Sequence, residues 1–170
     1  HVAAGTNVAA SIQSYFSEML DQTMDWAAAE KLRDEWGGKF ALKGVMSVGD
    51  ARRAAAMGID AIFVSNHGGR QLDGARAPFD QLAEIVDAVG DRVEVILDGG
   101  VRRGTHVLKA LSLGAKAVSG GRMYLYALAA AGQAGVERAL GLLEAEIVRD
   151  MKLMGKTSVA QLTRDNLRLR

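Results

Sequence analysis

Cysteine is absent from all 170 residues, which removes disulfides, thiol nucleophiles and thiolate metal sites together and is in keeping with a reducing cytoplasm. Histidine is nearly as scarce. The three present, His1, His67 and His106, show no HxxxH or comparable ligand spacing, so no catalytic metal is expected. A dominant charge is missing as well. The 21 Lys and Arg against 20 Asp and Glu leave a formal net charge of +1, and the basic residues are scattered among acids rather than gathered into the stripe that nucleic acid selects. No apolar run is long enough to span a bilayer and no signal peptide is visible, although a missing amino terminus would hide one. Peripheral membrane association is left open. One proline, and 49% hydrophobic against 24% charged residues, describe an ordinary globular core.

What is present is one layout repeated four times. Phe40-Ala41-Leu42 runs into Lys43-Gly44, and Ala61-Ile62-Phe63-Val64 into Ser65-Asn66-His67-Gly68-Gly69-Arg70. Val93 to Leu97 runs into Asp98-Gly99-Gly100, and Ala117-Val118-Ser119 into Gly120-Gly121-Arg122. Each short apolar run reads as a buried parallel strand, and each loop leads into an amphipathic stretch: Val48 to Met57, Phe79 to Val89, Thr105 to Leu113 and Tyr124 to Ala131. Strand, loop and helix repeated in this way are β/α units of a (β/α)8 barrel, whose chemistry sits on the loops after the strands.

A complete barrel of this kind needs about 250 residues. The chain supplies about the last four β/α units, and it begins at His1 rather than a methionine. It is therefore expected to be the carboxyl-terminal part of a longer protein, a half-barrel that pairs to close, or a separately expressed domain. Ahead of the first unit, Asp25 to Trp36 reads as a helix ended by Gly37-Gly38, with Trp26, Ala29, Leu32 and Arg33 on one side and both tryptophans in the core. Behind the fourth, Val136 to Met154 carries apolar residues at a helical period and is expected to pack outside the barrel.

His67 and Arg70 stand three positions apart at the end of the second strand. Imidazole can take a proton at neutral pH, and a guanidinium can hold a carboxylate bidentately, so the pair suits chemistry beside the carboxylate of a small organic acid. The same six residues also read as a Gly-rich turn with a solvated arginine. Gly120-Gly121-Arg122, between a strand and a helix, offers backbone N–H groups and a cation to a phosphate, or is simply a tight turn. Asp98 either accepts hydrogen bonds from sugar-like hydroxyls or caps the next helix. Taken together, the loops suggest a phosphorylated polyol such as the ribityl phosphate of a flavin.

The ordered set Lys43-Gly44, Ser65-Asn66-His67-Gly68-Gly69-Arg70-Gln71-Leu72-Asp73, Asp98-Gly99-Gly100-Val101-Arg102-Arg103-Gly104 and Gly121-Arg122 resembles the FMN-dependent α-hydroxy-acid oxidases and dehydrogenases, among them glycolate oxidase, lactate oxidase and mandelate dehydrogenase. The resemblance implies oxidation of an L-2-hydroxy acid to a 2-oxo acid, with His67 as active-site base and Arg70 on the substrate carboxylate. It implies FMN as cofactor. Lys43 then lies by the N1/O2 edge, where it stabilises negative charge on the reduced flavin, and Ser65 touches the same cofactor. Asp98, Gly99, Gly100, Val101 and Arg102 line the ribityl and phosphate part, and Gly121 and Arg122 complete the phosphate cradle.

On this resemblance residues 25–154 form the carboxyl-terminal half of the FMN-binding barrel, residues 155–170 a tail, and residues 1–24 an unassigned segment or loop. The partners it implies are a small 2-hydroxy acid and either the missing amino-terminal half-barrel or a second copy, in a homo-oligomer. The missing half supplies the family's second substrate-binding arginine, tyrosines over the substrate and the aspartate that orients the histidine. Gly120 and Met123 depart from the family, which has a bulky aliphatic residue and proline there, so a looser phosphate turn is expected. The other class of function is a catalytically silent half-barrel that binds FMN or phosphate, or that self-associates.

Overall fold

The computed structural model describes residues 14, 15 and 18–168. The segment 1–24, expected to be loop, lies largely outside the described residues. The chain divides into two compact units, residues 1–38 and 39–170.

The first unit holds helix α1, Trp26–Trp36. The Asp25 side chain accepts a hydrogen bond from the Ala28 N–H (2.9 Å), and Gly37 ends the helix in the left-handed conformation at φ 63°. Ala29 is buried, but Leu32 and Trp36 are exposed, Trp36 at 68%. The expectation of a core tryptophan pair is thus corrected for Trp36, which is exposed in the last turn although it lies two turns on from Ala29 along the same face.

The second unit is a parallel sheet in the order β1–β2–β3–β4: Ala41–Lys43, Ala61–Val64, Glu94–Asp98 and Ala117–Ser119. Between the strands run α2 (Val48–Ala56), α3 (Pro78–Val89) and α4 (Gly104–Ser112), and α5 (Arg122–Leu153) follows β4. Sequential order with helical crossovers is barrel topology, left open after four strands among the described residues. Ile62, Val64, Val95 and Leu97 are buried with Leu82, Ile85 and Val89 of α3, and with Val107 and Leu108 of α4. That is the core. The alternate residues of the same strands, such as Phe63, Ile96 and Ala117, are only partly covered or exposed, as the pleat of an uncompleted barrel requires.

α5 is broken at Ala131 (φ −154°, ψ 27°) and Gly132 (φ 58°, ψ −141°), a conformation that the glycine allows. The two helices expected from the sequence are therefore present, meeting at Gly132 without an intervening loop. The second packs on α4 so closely that a Cβ on Gly104 would lie 2.7 Å from Glu146 Cβ. Leu140 falls off the covered side at 51% exposure. The described part of the tail, residues 155–168, is more ordered than a bare tail. It makes two short 3₁₀ turns, buries Leu162, and pairs Arg164 with Asp87 of α3 at 2.6 Å.

α4 has no cap from its own N-cap residue, Arg103. Glu146 of α5 supplies one, accepting hydrogen bonds from the Gly104 N–H (2.7 Å) and from the Arg103 guanidinium (2.8 Å). Those two donors, the Arg103 side chain first, hold the Glu146 carboxyl below its ordinary range. A carboxyl so lowered stabilises the fold above the ordinary carboxylate range and stops doing so as pH falls through its folded-state value. Glu146→Ala should therefore lower the thermal midpoint at neutral pH, and the gap to the wild type should close on acidification. Melting curves from neutral to acid pH check this, and a gap independent of pH would refute the capping role.

Candidate active site

The polar groups of the site come from the carboxyl ends of all four strands. Register places Asp98 opposite Ser119, and one step beyond the Val64–Leu97 pair it places Ser65 beside Asp98. Ser65, Asp98 and Ser119 thus form a row across the sheet, two residues above Phe63, Ile96 and Ala117. Lys43 reaches this row from β1. Its Nζ lies 2.6 Å from Asp98 Oδ2 and donates to Ser65 Oγ at 3.1 Å. Ser65 Oγ in turn donates to Asp98 Oδ2 at 2.7 Å.

Burial is the largest single influence on the Asp98 carboxyl, and it pushes the pKa up. Hydrogen bonds from Lys43, Ser65 and Ser119, with the charge of Lys43, together outweigh it and leave the group below its usual value. Asp98 is therefore an anion at neutral pH and keeps an ammonium beside it. The Lys43 side chain is 48% exposed, open to a ligand on the uncompleted face.

After β2 the chain turns through a 3₁₀ helix, His67–Gly69. Asn66 closes the turn, accepting from the Gly69 N–H (3.1 Å) and donating to the Arg76 carbonyl (3.3 Å). His67 has φ 56°, the one positive φ outside glycine among the described residues. Its ring lies against Gly44, where an added Cβ would come 2.7 Å from His67 Cε1. Glycine at 44 is thus required by the histidine as well as by its own φ of 98°. Arg70 ends the turn, exposed, and its guanidinium makes no hydrogen bond or ion pair with a described residue.

Arg122, the first residue of α5, donates from Nη2 to the Gly68 carbonyl at 2.7 Å, and a Cβ on Gly68 would meet the same nitrogen at 2.8 Å. The loop expected to hold phosphate is thereby tied to the turn that carries the histidine. Gly121 gives α5 no side-chain cap, so the first-turn N–H groups are available to an anion. Around Gly100, Gly120 and Gly121 nothing lies within 4 Å of where a Cβ would stand, and Gly99 and Gly100 have φ of 111° and 74°. Two of the expected site residues are buried, Ser65 and Val101; the Val101 side chain has no polar atom, so its backbone is the part that can hydrogen-bond a ligand. His106, away from the site, accepts from the Arg102 N–H at its Nδ1 (3.2 Å).

The donor set fits FMN: a cation at the end of β1, a carboxylate for a polyol at the end of β3, and an uncapped, glycine-lined helix start with an arginine for phosphate. Ser119 was not foreseen. Its signal was the alternation that puts it in register with Asp98, which is invisible until the strands are paired.

Four parallel β/α units with their polar groups gathered on the strand-end loops define part of a (β/α)8-barrel enzyme. The family model of the FMN-dependent dehydrogenases matches residues 2–169, and the chain belongs to that family, whose cofactor is FMN. It is 53% identical over 150 residues to a pre-mycofactocin synthase of Mycobacterium tuberculosis, covering 88% of this chain and 38% of the relative. It is 46% identical over 162 residues to an L-lactate dehydrogenase of Azorhizobium caulinodans, covering 95% and 42%. Among solved structures, one titled monotopic membrane protein (S)-mandelate dehydrogenase superposes with a TM-score of 0.83 or better, at 0.87, with 40% identity over 99% of this chain and 45% of that one. The chain thus spans less than half the length of these relatives. No described helix is long and apolar enough to cross a membrane.

Proposed function

We propose that the polypeptide to which these residues belong oxidises an L-2-hydroxy acid to the 2-oxo acid, with His67 as base and Arg70 holding the substrate carboxylate. The observation that carries this reading is the convergence of Lys43, Ser65, His67 and Asp98 at the ends of three adjacent parallel strands, with Arg122 reaching in from the fourth. FMN, when bound, supplies the two-electron acceptor. Oxidation of the alcohol carbon breaks one C–H and one O–H bond; of the two protons and two electrons released, His67 takes one proton at a ring nitrogen, and bound FMN would take the two electrons with the other proton. Lys43, paired with Asp98 at 2.6 Å, would favour negative charge on bound FMN at its N1/O2 edge. Ser65 borders that edge. Asp98 to Arg102 hold the ribityl chain, and Gly121 and Arg122 the phosphate.

The relatives named as dehydrogenases and synthases favour an enzyme over a silent binding half-barrel. Their greater length favours the amino-terminal half of the barrel, rather than a second copy, as what covers the open face. Association with a membrane surface is compatible with the (S)-mandelate dehydrogenase neighbour. A second reading, in which the substrate is not a simple hydroxy acid but belongs to the chemistry named in pre-mycofactocin synthase, is supported by the 53% identity to that relative.

Anaerobic mixing of the FMN-loaded, full-length protein with L-lactate or L-mandelate tests the first reading: the flavin band should bleach. Bleaching by neither acid would turn the assignment toward the second. The phosphate assignment has its own test. Arg122→Ala should weaken FMN binding by roughly 1.5 to 3 kcal/mol, the range for charge-assisted hydrogen bonds, and leave riboflavin binding unchanged. Isothermal titration of the flavin-free protein with each ligand measures both, and an unaltered FMN affinity would remove Arg122 from the phosphate site.

A further inference from the structure

We propose that Ser65 is a positioning residue for both His67 and Lys43, one buried hydroxyl fixing the base and the cation relative to each other. The side chain is 1% exposed, and its oxygen sits at the centre of three contacts. It donates to Asp98 Oδ2 at 2.7 Å, and it accepts from Lys43 Nζ at 3.1 Å and from the backbone N–H of His67 at 3.1 Å. A hydroxyl has one hydrogen and two lone pairs. Ammonium and amide are donors only, so the hydrogen has one destination, the Asp98 carboxylate. The ion pair thereby orients the hydroxyl, and the oriented lone pairs face the two donors.

The contact to His67 falls where the backbone needs support. At φ 56° His67 occupies a left-handed conformation disfavoured for a residue with a Cβ. The Gly69 N–H bond to Asn66 closes the turn two residues further on, which leaves Ser65 Oγ as the group that holds the His67 amide itself. That backbone conformation is what lays the ring against Gly44, next to Lys43 in the chain. Removal of the Ser65 oxygen therefore acts on His67 through its backbone and on Lys43 through its ammonium. A buried serine that only satisfied Asp98 would do neither.

The proposal rests on the reading of His67 as base only for its kinetic consequence; the link between Ser65 and the His67 amide is tested without it. In the flavin-free, full-length protein labelled with ¹⁵N only at histidine, the His67 amide, assigned by the absence of its signal in His67→Gln, should exchange slowly with solvent deuterium. In Ser65→Ala its exchange should speed up by about tenfold or more, the loss of roughly one net hydrogen bond, while amides of α3 keep their rates. Ser65→Thr, which keeps the hydroxyl, should restore protection. In the FMN-loaded protein Ser65→Ala should lower kcat about tenfold with KM changed less than about twofold, and make the flavin midpoint potential more negative through Lys43. An unchanged His67 amide in Ser65→Ala would overturn the proposal. So would an unprotected amide in the wild type, a result that needs no variant to fold. If the amide responds but His67→Ala reduces flavin normally, the positioning role stands and the assignment of the base falls.

Discussion

In the full-length, FMN-loaded protein, His67→Ala should slow reduction of the flavin by an L-2-hydroxy acid about 10²- to 10⁴-fold, the usual contribution of a positioned general base. The flavin should stay bound. The His67 ring lies against Gly44 and its backbone N–H bonds to Ser65, whereas the Lys43–Asp98 pair and the bond from Arg122 to the Gly68 carbonyl are made without its side chain. Substrate turnover and cofactor retention are therefore separable at this residue. Arg70→Lys should act differently, raising the substrate concentration required, because an ammonium cannot make the paired contact of a guanidinium with a carboxylate. Stopped-flow bleaching reports both variants, and normal bleaching by His67→Ala would remove the proposed base.

The second large effect concerns residues 1–170 produced by themselves. The sheet of the second unit ends at β1 and β4, and both edge strands lack a partner on their outer side among the described residues. Its uncovered face carries Lys43, Phe63, Ile96 and Ala117, and Tyr126, Leu128 and Leu153 of α5 are exposed as well. Open parallel edges and apolar surface of this kind are normally covered. Light scattering at micromolar concentration should accordingly show association rather than a stable monomer. Turnover of any hydroxy acid should be negligible, with at most weak FMN binding, since the chain spans less than half the length of its relatives. A well-behaved monomer that oxidises lactate would contradict both expectations.

Most of the fold was legible because parallel strands buried on one side and loaded with polar groups at one end leave a strong pattern. Ala61–Val64 and Ala117–Ser119 were located to the residue. β1 and β3 are each shifted one residue toward the carboxyl end, beginning at Ala41 and Glu94 and ending in Lys43 and Asp98. A charged residue suggests a loop, yet at the end of a barrel strand it can stay in the ladder and point to the open face. The individual site residues were legible as types. Their arrangement was not, because the row of Ser65, Asp98 and Ser119 depends on register between segments far apart in the chain. The same distance hid the cap that Glu146 places on Gly104, and the bond from Arg122 to the Gly68 carbonyl. Trp36 went the other way: a large aromatic argued for the core, and its position at the end of α1 left it exposed.

The central claim is that the four strand ends form one site for FMN and a hydroxy acid. A crystal structure of the full-length protein with FMN and a 2-oxo acid tests it most directly. The account predicts Lys43 beside the flavin ring, the phosphate at the start of α5 within hydrogen-bond reach of Arg122, and the carboxylate of the oxo acid paired with Arg70 next to the His67 ring. A flavin bound elsewhere, or an oxo acid whose carboxylate is held by other groups with His67 turned away, would contradict it.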